Sequence, residues 1–566
     1  MACRDSATRK GQGRMASLSA AKTKKFTDGS LTGGEALVES LIQQGVDTVF
    51  ALPGIQLDGL FNALHGAQNR LRVVHTRHEQ ATAYMADGYA RVTGKEGVCI
   101  VVPGPGVLNA GAGLSTAYSA NSPVLCVTGQ IRSDLIDHQR GALHEIVDQL
   151  GVFRSVTKWA DRIPSAPEVG GTVEEAFRQM RSGRIRPTAI EIAPDVLTAK
   201  GGIVGLQKPE RQRPAGDPDL IKAAAKALGK AKSPIIFVGG GIERSGAMAE
   251  LKRVAELLEA PVLKSGNGKG AMSDRHYLVQ GELSVTPLLE TADAVLVVGT
   301  RFPDPTDIQW RPAEGQTVVH MTIDPSELKR FGAGQIEIVA DAKAGLAALA
   351  AAIPAHNLKR ASKKKELIEL KAWGKQQIDA VQPQAGFGLA LRAEIPDEGI
   401  LVNEYTQVGY WSYFGYDVYE PNTFIVPGYQ GALGYGFTTA MGVKVGKPNV
   451  PVVSINGDGG FGYTLNDMST LVQHNIPLIT VVFNDNAYGN VRRLQADDYN
   501  GKIIASELVN PNYQTLAKAF GISGRKAKTP DQLRVALREA IKANEPTLIE
   551  VPIGITPDPW KVLPMR

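Results

Sequence analysis

The sequence predicts an α/β protein built from three doubly wound parallel-sheet domains. Three observations carry that expectation. Short Val/Ile-rich runs alternate with longer helical patterns along the chain, the signature of strand–helix–strand units. At 566 residues the chain is too long for one hydrophobic core. Its 61 glycines suit the tight turns that join strands to helices in such sheets. With 43% hydrophobic and 21% charged residues the composition is that of an ordinary soluble protein, and no apolar run approaches the ~20 residues of a membrane-crossing helix.

Residues 1–28 read as a disordered basic extension. Arg4, Arg9, Lys10, Arg14, Lys22, Lys24 and Lys25 face only Asp5 and Asp28 there, and large apolar residues are scarce. Much of the formal net charge of +5 therefore sits in the tail, which argues against a nucleic-acid partner. An organelle transit peptide is the alternative for this stretch, and Met15 is a second candidate start. The cysteines, Cys3, Cys99 and Cys126, form no CxxC pair or disulfide framework. Cys99 and Cys126 lie in apolar runs and are expected to be buried reduced thiols, which suits a cytoplasmic location.

Two breaks divide the rest. "KGGIVGLQKPERQRPAGDPD" (200–219) has the Gly, Pro and charge of a linker, and "HNLKRASKKKELIELKAWGKQQ" (356–377) reads as an exposed Lys-rich helix between domains. The expected domains are 29–200, 215–355 and 375–566. The outer two share an echo: "STAYSANSPVLCV" (115–127) and "STLVQHNIPLITV" (469–481) both run S-T-x4-N-x-P into an apolar strand. A shared topology follows, with a ligand expected between the paired domains.

The third domain holds the sharpest motif. "VPVVSI" (450–455) reads as a buried strand, "GDGGFG" as a turn, "TLNDMSTLVQH" as a helix, "PLITVVF" as the next strand and "NDNAYG" as the next turn. A right-handed crossover makes the strands parallel, so Asp458 and Asp485 emerge at one edge of the sheet. Two carboxylates aimed at one spot call for a cation, and oxygen donors suit Mg²⁺ with water and phosphate oxygens. Gly457, Gly459 and Gly460 let backbone amides approach a phosphate at the start of the following helix. The constellation describes a magnesium-bridged diphosphate. An isolated GDG would read as a tight turn with Asp458 as a helix cap; the second acid, followed by Gly489, favours the metal reading.

At this point the sequence resembles the thiamine diphosphate (ThDP) enzymes of the acetolactate synthase and pyruvate oxidase type, whose hallmark is GDG and, about 26 residues later, Asn. The resemblance implies that Asp458, Asp485 and the Ala487 carbonyl ligate Mg²⁺, with Tyr488, Gly489 and Asn490 in the cofactor loop. It also carries a departure, since Asp485 stands where the family has Asn. In the first domain "RHEQATAYMADGYARVTGK" (77–95) resembles the family's glutamate stretch, which implies that Glu79 shares a proton with N1′ of the aminopyrimidine. "VFALPG" (49–54), with Pro53 and Gly54, and the segments 101–130 and 185–192 resemble the same pyrimidine-binding domain. In "GYQGALGYGFTTAMG" (428–442) Gly431 would offer a carbonyl to the 4′-amino group, and Leu433 would wedge between the rings. Thr406 and Gln407 fall in the diphosphate-contact region. The family builds each site from two subunits, so a homodimer is the expected minimum and a homotetramer the expectation.

"PIIFVGGGI" (234–242) and "ADAVLVVGTRF" (292–302) resemble a nucleotide-type central domain without a proper GxGxxG. In such enzymes it holds FAD, ADP or nothing; structural filler is favoured here. The expected activity is ThDP- and Mg²⁺-dependent cleavage or formation of a C–C bond: decarboxylation of a 2-keto acid or carboligation to a 2-hydroxy ketone. A strict acetolactate synthase is disfavoured by Pro305, Asn490 and Leu494, which replace the family's pocket Arg, Met and Trp. The alternatives are an acyloin lyase of the benzaldehyde-lyase or 2-hydroxyacyl-CoA-lyase type, a flavin-containing pyruvate-oxidase-type enzyme, and a non-catalytic ThDP-binding protein. Gln56 replaces a relay histidine of benzaldehyde lyases, and "TPDPWKVLPMR" is too short for a CoA lid. Gln139 and His138 are the polar candidates facing substrate, with His138 equally readable as an exposed loop residue. His78 is expected to serve structure, His474 to be incidental, and Tyr410, Trp411, Tyr413 and Phe414 to line a pocket or pack the core.

Overall fold

A computed structural model describes residues 30–301, 311–332 and 334–561. The basic extension and Pro305 lie outside the described residues. Three parallel sheets follow one another along the chain. The first runs Arg72–His75, Thr48–Ala51, Gly97–Val101, Val124–Gly129, Thr188–Ile192, Trp159–Ile163 in spatial order. The second has five strands, Val262–Lys264, Pro234–Val238, Ala294–Val298, Thr317–Thr322 and Ile336–Val339. The third runs Phe424–Ile425, Ile400–Asn403, Val452–Gly457, Ile479–Asn484, Thr547–Pro552, Ser523–Lys526. The near-continuous apolar composition of their central strands reflects burial on both faces by the crossover helices, whereas edge strands such as Ser523–Lys526 are polar and part-exposed.

Numbered in chain order within each sheet, the strands of the first and third sheets both read 2-1-3-4-6-5. The sequence echo lies at equivalent places in that shared topology. Asn121 and Asn475 both adopt left-handed backbone (φ 53° and 50°) just beyond the helices Pro105–Ser119 and Met468–Gln473. Asn tolerates that conformation, and the Pro two residues later directs the chain into the next strand. The order reverses between strands 1 and 3, which opens a crevice at their C-terminal ends.

The first and third domains pack through the helices Glu79–Thr93 and Tyr435–Gly446. Their backbones meet closely: a Cβ on Gly88 would lie 2.2 Å from the Thr439 carbonyl oxygen, and one on Gly442 would lie 2.0 Å from that of Met85. One core accordingly contains residues of both domains, among them Tyr84, Met85, Tyr435, Phe437 and Phe461. Arg91, at the far end of the first helix, fastens all three domains. Its guanidinium donates to the Val426 carbonyl (2.8 Å), the Tyr435 hydroxyl (2.9 Å) and Asn267 Oδ1 of the central domain (3.1 Å).

Local readings needed small corrections. The segment read as one helix, 464–474, is a 3₁₀ turn (Leu465–Asp467) followed by a short helix (Met468–Gln473), because Asp467 turns its side chain to the first domain. The GDGG turn winds into a single helical turn, Asp458–Phe461. Cys99 and Cys126 are buried, free and register-paired on adjacent strands. No helix among the described residues is long and apolar enough to cross a membrane.

Candidate active site

Strands Val452–Gly457 and Ile479–Asn484 pair in parallel register, Gly457 opposite Phe483, so the turns that follow them sit side by side. The Asp458 side chain is buried and accepts from Asn510 Nδ2 at 2.6 Å; the same amide nitrogen reaches Asn484 Oδ1 at 3.0 Å. Asp485 hydrogen-bonds Asp458, and the Ala487 N–H donates to its Oδ1 at 3.2 Å. Burial first, then the charge and hydrogen bond of Asp458, push the Asp485 carboxyl up to about 7. The pair is two acids in contact with no cationic side chain between them. Gly489 makes room for it, since a Cβ there would lie 2.2 Å from Asp485 Oδ2.

The neighbouring turn begins after strand Ile400–Asn403, across the crevice. Thr406 caps the helix Gln407–Gly415 without spending its side chain on the cap, and Gln407 is buried with Oε1 unpartnered. A Cβ on Gly457 would lie in ordinary contact with Thr406, 3.6 Å from its Cβ. Gly431 takes left-handed backbone (φ 58°) against the Tyr405 ring, and Leu433 follows it, half-exposed. Tyr488 borders Gly459, and Asn490 Oδ1 accepts from Arg493 at 3.0 Å. Tyr405 stacks on Tyr410 and Tyr413 along this wall, whereas Trp411 is buried and donates to the Ile378 carbonyl.

In the first domain, Glu79 opens its helix, half-buried, and Oε2 accepts from Asn109 Nδ2 at 2.9 Å. His78 is the N-cap, its Nδ1 accepting from the Gln80 N–H, which is the structural role expected of it. Pro53 and Gly54 follow the first strand, across the crevice of this sheet. Gln56 is buried, donating to the Leu143 carbonyl and meeting His144 Nδ1 at 3.0 Å, so it holds a loop in place. His138 and Gln139 lie exposed on the preceding part of that loop, with Gln139 in left-handed backbone (φ 50°). Among the hydrogen bonds and ion pairs of the described residues, none joins Glu79 to Asp458 or Asp485.

The comparisons agree with this arrangement. Residues 31–152, 221–349 and 405–551 match the thiamine pyrophosphate enzyme family, as its N-terminal TPP binding domain, central domain and C-terminal TPP binding domain respectively. The chain belongs to the thiamine pyrophosphate enzymes. It is 32% identical to a probable acetolactate synthase large subunit of Methanocaldococcus jannaschii, over 94% of this chain and 93% of that protein. It is also 32% identical to a probable 2-ketoarginine decarboxylase of Pseudomonas aeruginosa (92% and 94% covered), and 30% identical to the acetolactate synthase isozyme 3 large subunit of Escherichia coli (90% and 92%). It is thus an acetolactate synthase-like ThDP enzyme.

The residues present fit the coenzyme of that family. The Asp458–Asp485 contact and the orphaned Gln407 Oε1 are the kind of buried groups that a cation and a diphosphate would satisfy. Three residues escaped the sequence reading. Asn510 lies 52 positions from the aspartate it bonds, Asp467 reaches into the first domain, and Glu404 is buried beneath the glycine turns. Only Glu404 carried a usable signal, an acid at the end of a buried strand. His474, expected to be incidental, packs edge-on against His75 and accepts from its N–H at 3.1 Å, and burial drops its pKa to about 4.

Proposed function

We propose that this ThDP enzyme uses Mg²⁺ to make or break a C–C bond beside a carbonyl, with a 2-keto acid as donor. The observation that carries the reading is the Asp458–Asp485 pair at the C-terminal ends of two adjacent parallel strands. Asp458, Asp485 and the Ala487 carbonyl would hold the cation. Gly459, Gly460, Thr406 and Gln407 would hold the diphosphate, and Gly431 and Leu433 the rings. When bound, ThDP supplies a carbon nucleophile and an electron sink for the carbanion left by CO₂ or an aldehyde. Glu79 holds a proton at N1′ of the aminopyrimidine. The tyrosine wall of Tyr405, Tyr410 and Tyr413 would exclude water, and His138 and Gln139 are the polar groups proposed to face an acceptor.

The site is read as shared between two copies of the chain. Ile55, Leu108, Leu143 and Val147 stand exposed on the first domain, and Tyr463, Val491 and Val509 on the third. Apolar groups at both half-sites support a homodimer at minimum, with a homotetramer as its doubling. The named relatives support 2-keto acids as the donor class. Asn490 and Leu494 in the acceptor pocket favour a decarboxylase or an acyloin former other than a strict acetolactate synthase.

A second cofactor has one observation in its favour. A cavity of about 830 Å³ opens between the central domain and its neighbours, lined by Gly240, Gly241, Arg244, Lys264 and Arg301. Glycine turns and cations suit FAD or ADP better than filler does. The decisive experiment loads the protein with ThDP and Mg²⁺ and screens 2-keto acids and acyloins for CO₂ and ketol products. Absence of both products across the panel would sink the reading, and flavin absorbance in the purified protein would move it towards the pyruvate-oxidase type.

A further inference from the structure

Glu404 ends the strand Ile400–Asn403, at the point where the third sheet reverses its strand order. Its backbone is fixed on both sides: N–H donates to the Ile455 carbonyl at 3.2 Å, and its carbonyl accepts from Thr406 N–H at 3.0 Å. Its side chain is fully enclosed. Oε1 accepts from the Gly434 N–H at 3.1 Å, while Oε2 is buried with no partner. The surrounding turns are shaped to it. A Cβ on Gly460 would fall 2.4 Å from Oε1, and one on Gly436 would fall 2.9 Å from the Glu404 Cβ.

Those contacts connect the two halves of the expected coenzyme cradle. Gly434 follows Leu433 and closes the segment that would hold the rings. Gly460 follows the Asp458 turn that would hold the cation and diphosphate. We propose that Glu404 is a positioning residue, which sets the Leu433 segment in register with the Asp458 turn and so holds the two halves of the coenzyme cradle together. The inference rests on the coenzyme reading above and extends it to a residue enclosed beneath the cradle.

The side chain's charge state agrees with that task. No cation faces it, and burial raises its pKa to about 8, which favours the neutral carboxyl. A buried anion beside a diphosphate would oppose the ligand, whereas a neutral acid gives the same hydrogen-bond acceptor without the charge. An amide of the same shape should therefore replace it.

The test uses full-length protein with ThDP·Mg²⁺ and three variants, Glu404→Ala, Glu404→Gln and Glu404→Asp. Two quantities are read: coenzyme affinity by calorimetry, and hydrogen–deuterium exchange at C2 of bound ThDP by NMR after acid quench. Neither needs the substrate. Loss of register should slow exchange about tenfold in Glu404→Ala, the scale of one buried hydrogen bond, with affinity changing less. Glu404→Gln should restore both. If Glu404→Ala does not fold, Glu404→Asp carries the test, because its shortened side chain withdraws from Gly434 while staying acidic and should show the same split. Wild-type exchange in every folded variant overturns the proposal. A wild-type protein that takes up no ThDP·Mg²⁺ overturns the coenzyme reading itself, a different result from the same calorimeter.

Discussion

The Arg77 N–H donates to Asp467 Oδ1 at 2.8 Å, so the segment that delivers Glu79 is bolted to the chain that follows the GDG turn. Thr470 donates to the same oxygen at 2.9 Å, and Gln80 Nε2 reaches the Tyr463 carbonyl at 3.1 Å alongside. The bolt joins two domains of one chain. If each site draws Glu79 from one subunit and Asp458 from the other, it also joins two sites.

Removing the bolt should loosen both domains. Asp467→Ala leaves the Arg77 N–H unpaired in a part-buried position and should cost about 1–3 kcal/mol of stability. Turnover should fall with it, because Glu79 stands two residues from the lost anchor. Chemical denaturation and steady-state kinetics measure the two effects. A variant of unchanged stability would show that the Gln80–Tyr463 bond suffices alone.

If Asp485 ligates the proposed cation, binding of that cation should depend on pH. Its carboxyl is raised to about 7 in the free protein, chiefly by burial and then by Asp458, and the protonated form must lose its proton to ligate. Mg²⁺-dependent ThDP affinity should therefore weaken as pH falls below about 7. In Asp485→Asn that dependence should flatten, because an amide has no proton to release. Calorimetric titrations at pH 6 and pH 8, on the order of a unit either side of the midpoint, compare the two proteins. Parallel curves would exclude Asp485 from the metal.

Glu404 gives stability its own pH signature. Its pKa rises from an ordinary 4.5 to about 8 on folding, through burial opposed by the Gly434 and Gly436 amides. The folded chain thus holds a proton that the unfolded chain releases above 4.5. The stabilisation is complete below that value and is lost as pH rises through about 8. Glu404→Gln, which does not titrate, should gain thermal stability relative to wild type across that window. Melting temperatures measured along the pH series would show a constant difference if the carboxyl were ionised throughout.

Much of this arrangement was legible in the residues, for reasons that differ by position. Asp458 and Asp485 could be paired because parallel crossovers force neighbouring strands to end together, and a second acid after the adjacent strand is what a lone tight turn would not need. The S-T-x4-N-x-P echo carried the common topology of the outer sheets, since Asn121 and Asn475 perform one turn twice. Asp467 and Asn510 were illegible because their partners, Arg77 and Asp458, lie far off in sequence and no local pattern encodes a bond across domains. The single helix read over 464–474 failed for the same reason: its periodicity is helical, but Asp467 is held by a tertiary bond. The large cavity of the central domain was missed because basic residues spread over that domain assemble only on folding.

A site shared between two subunits, as proposed here, makes a prediction that no single variant can test. On the proposed reading Glu79→Gln would remove the proton-sharing acid and Asp458→Ala a cation ligand, so each homodimer should lose about 10²-fold or more of its activity. Refolding an equal mixture gives half its dimers as heterodimers. In each heterodimer one site carries both lesions and the other carries none, because Glu79 of the Asp458→Ala chain meets Asp458 of the Glu79→Gln chain. The mixture should recover about a quarter of wild-type turnover, the share of intact sites in a symmetric dimer. A site contained within one chain gives the opposite result, since every chain then has a lesion in its own site and mixing restores nothing. Recovery measured against the mixing ratio separates the two, with its maximum at equal proportions if the site is shared.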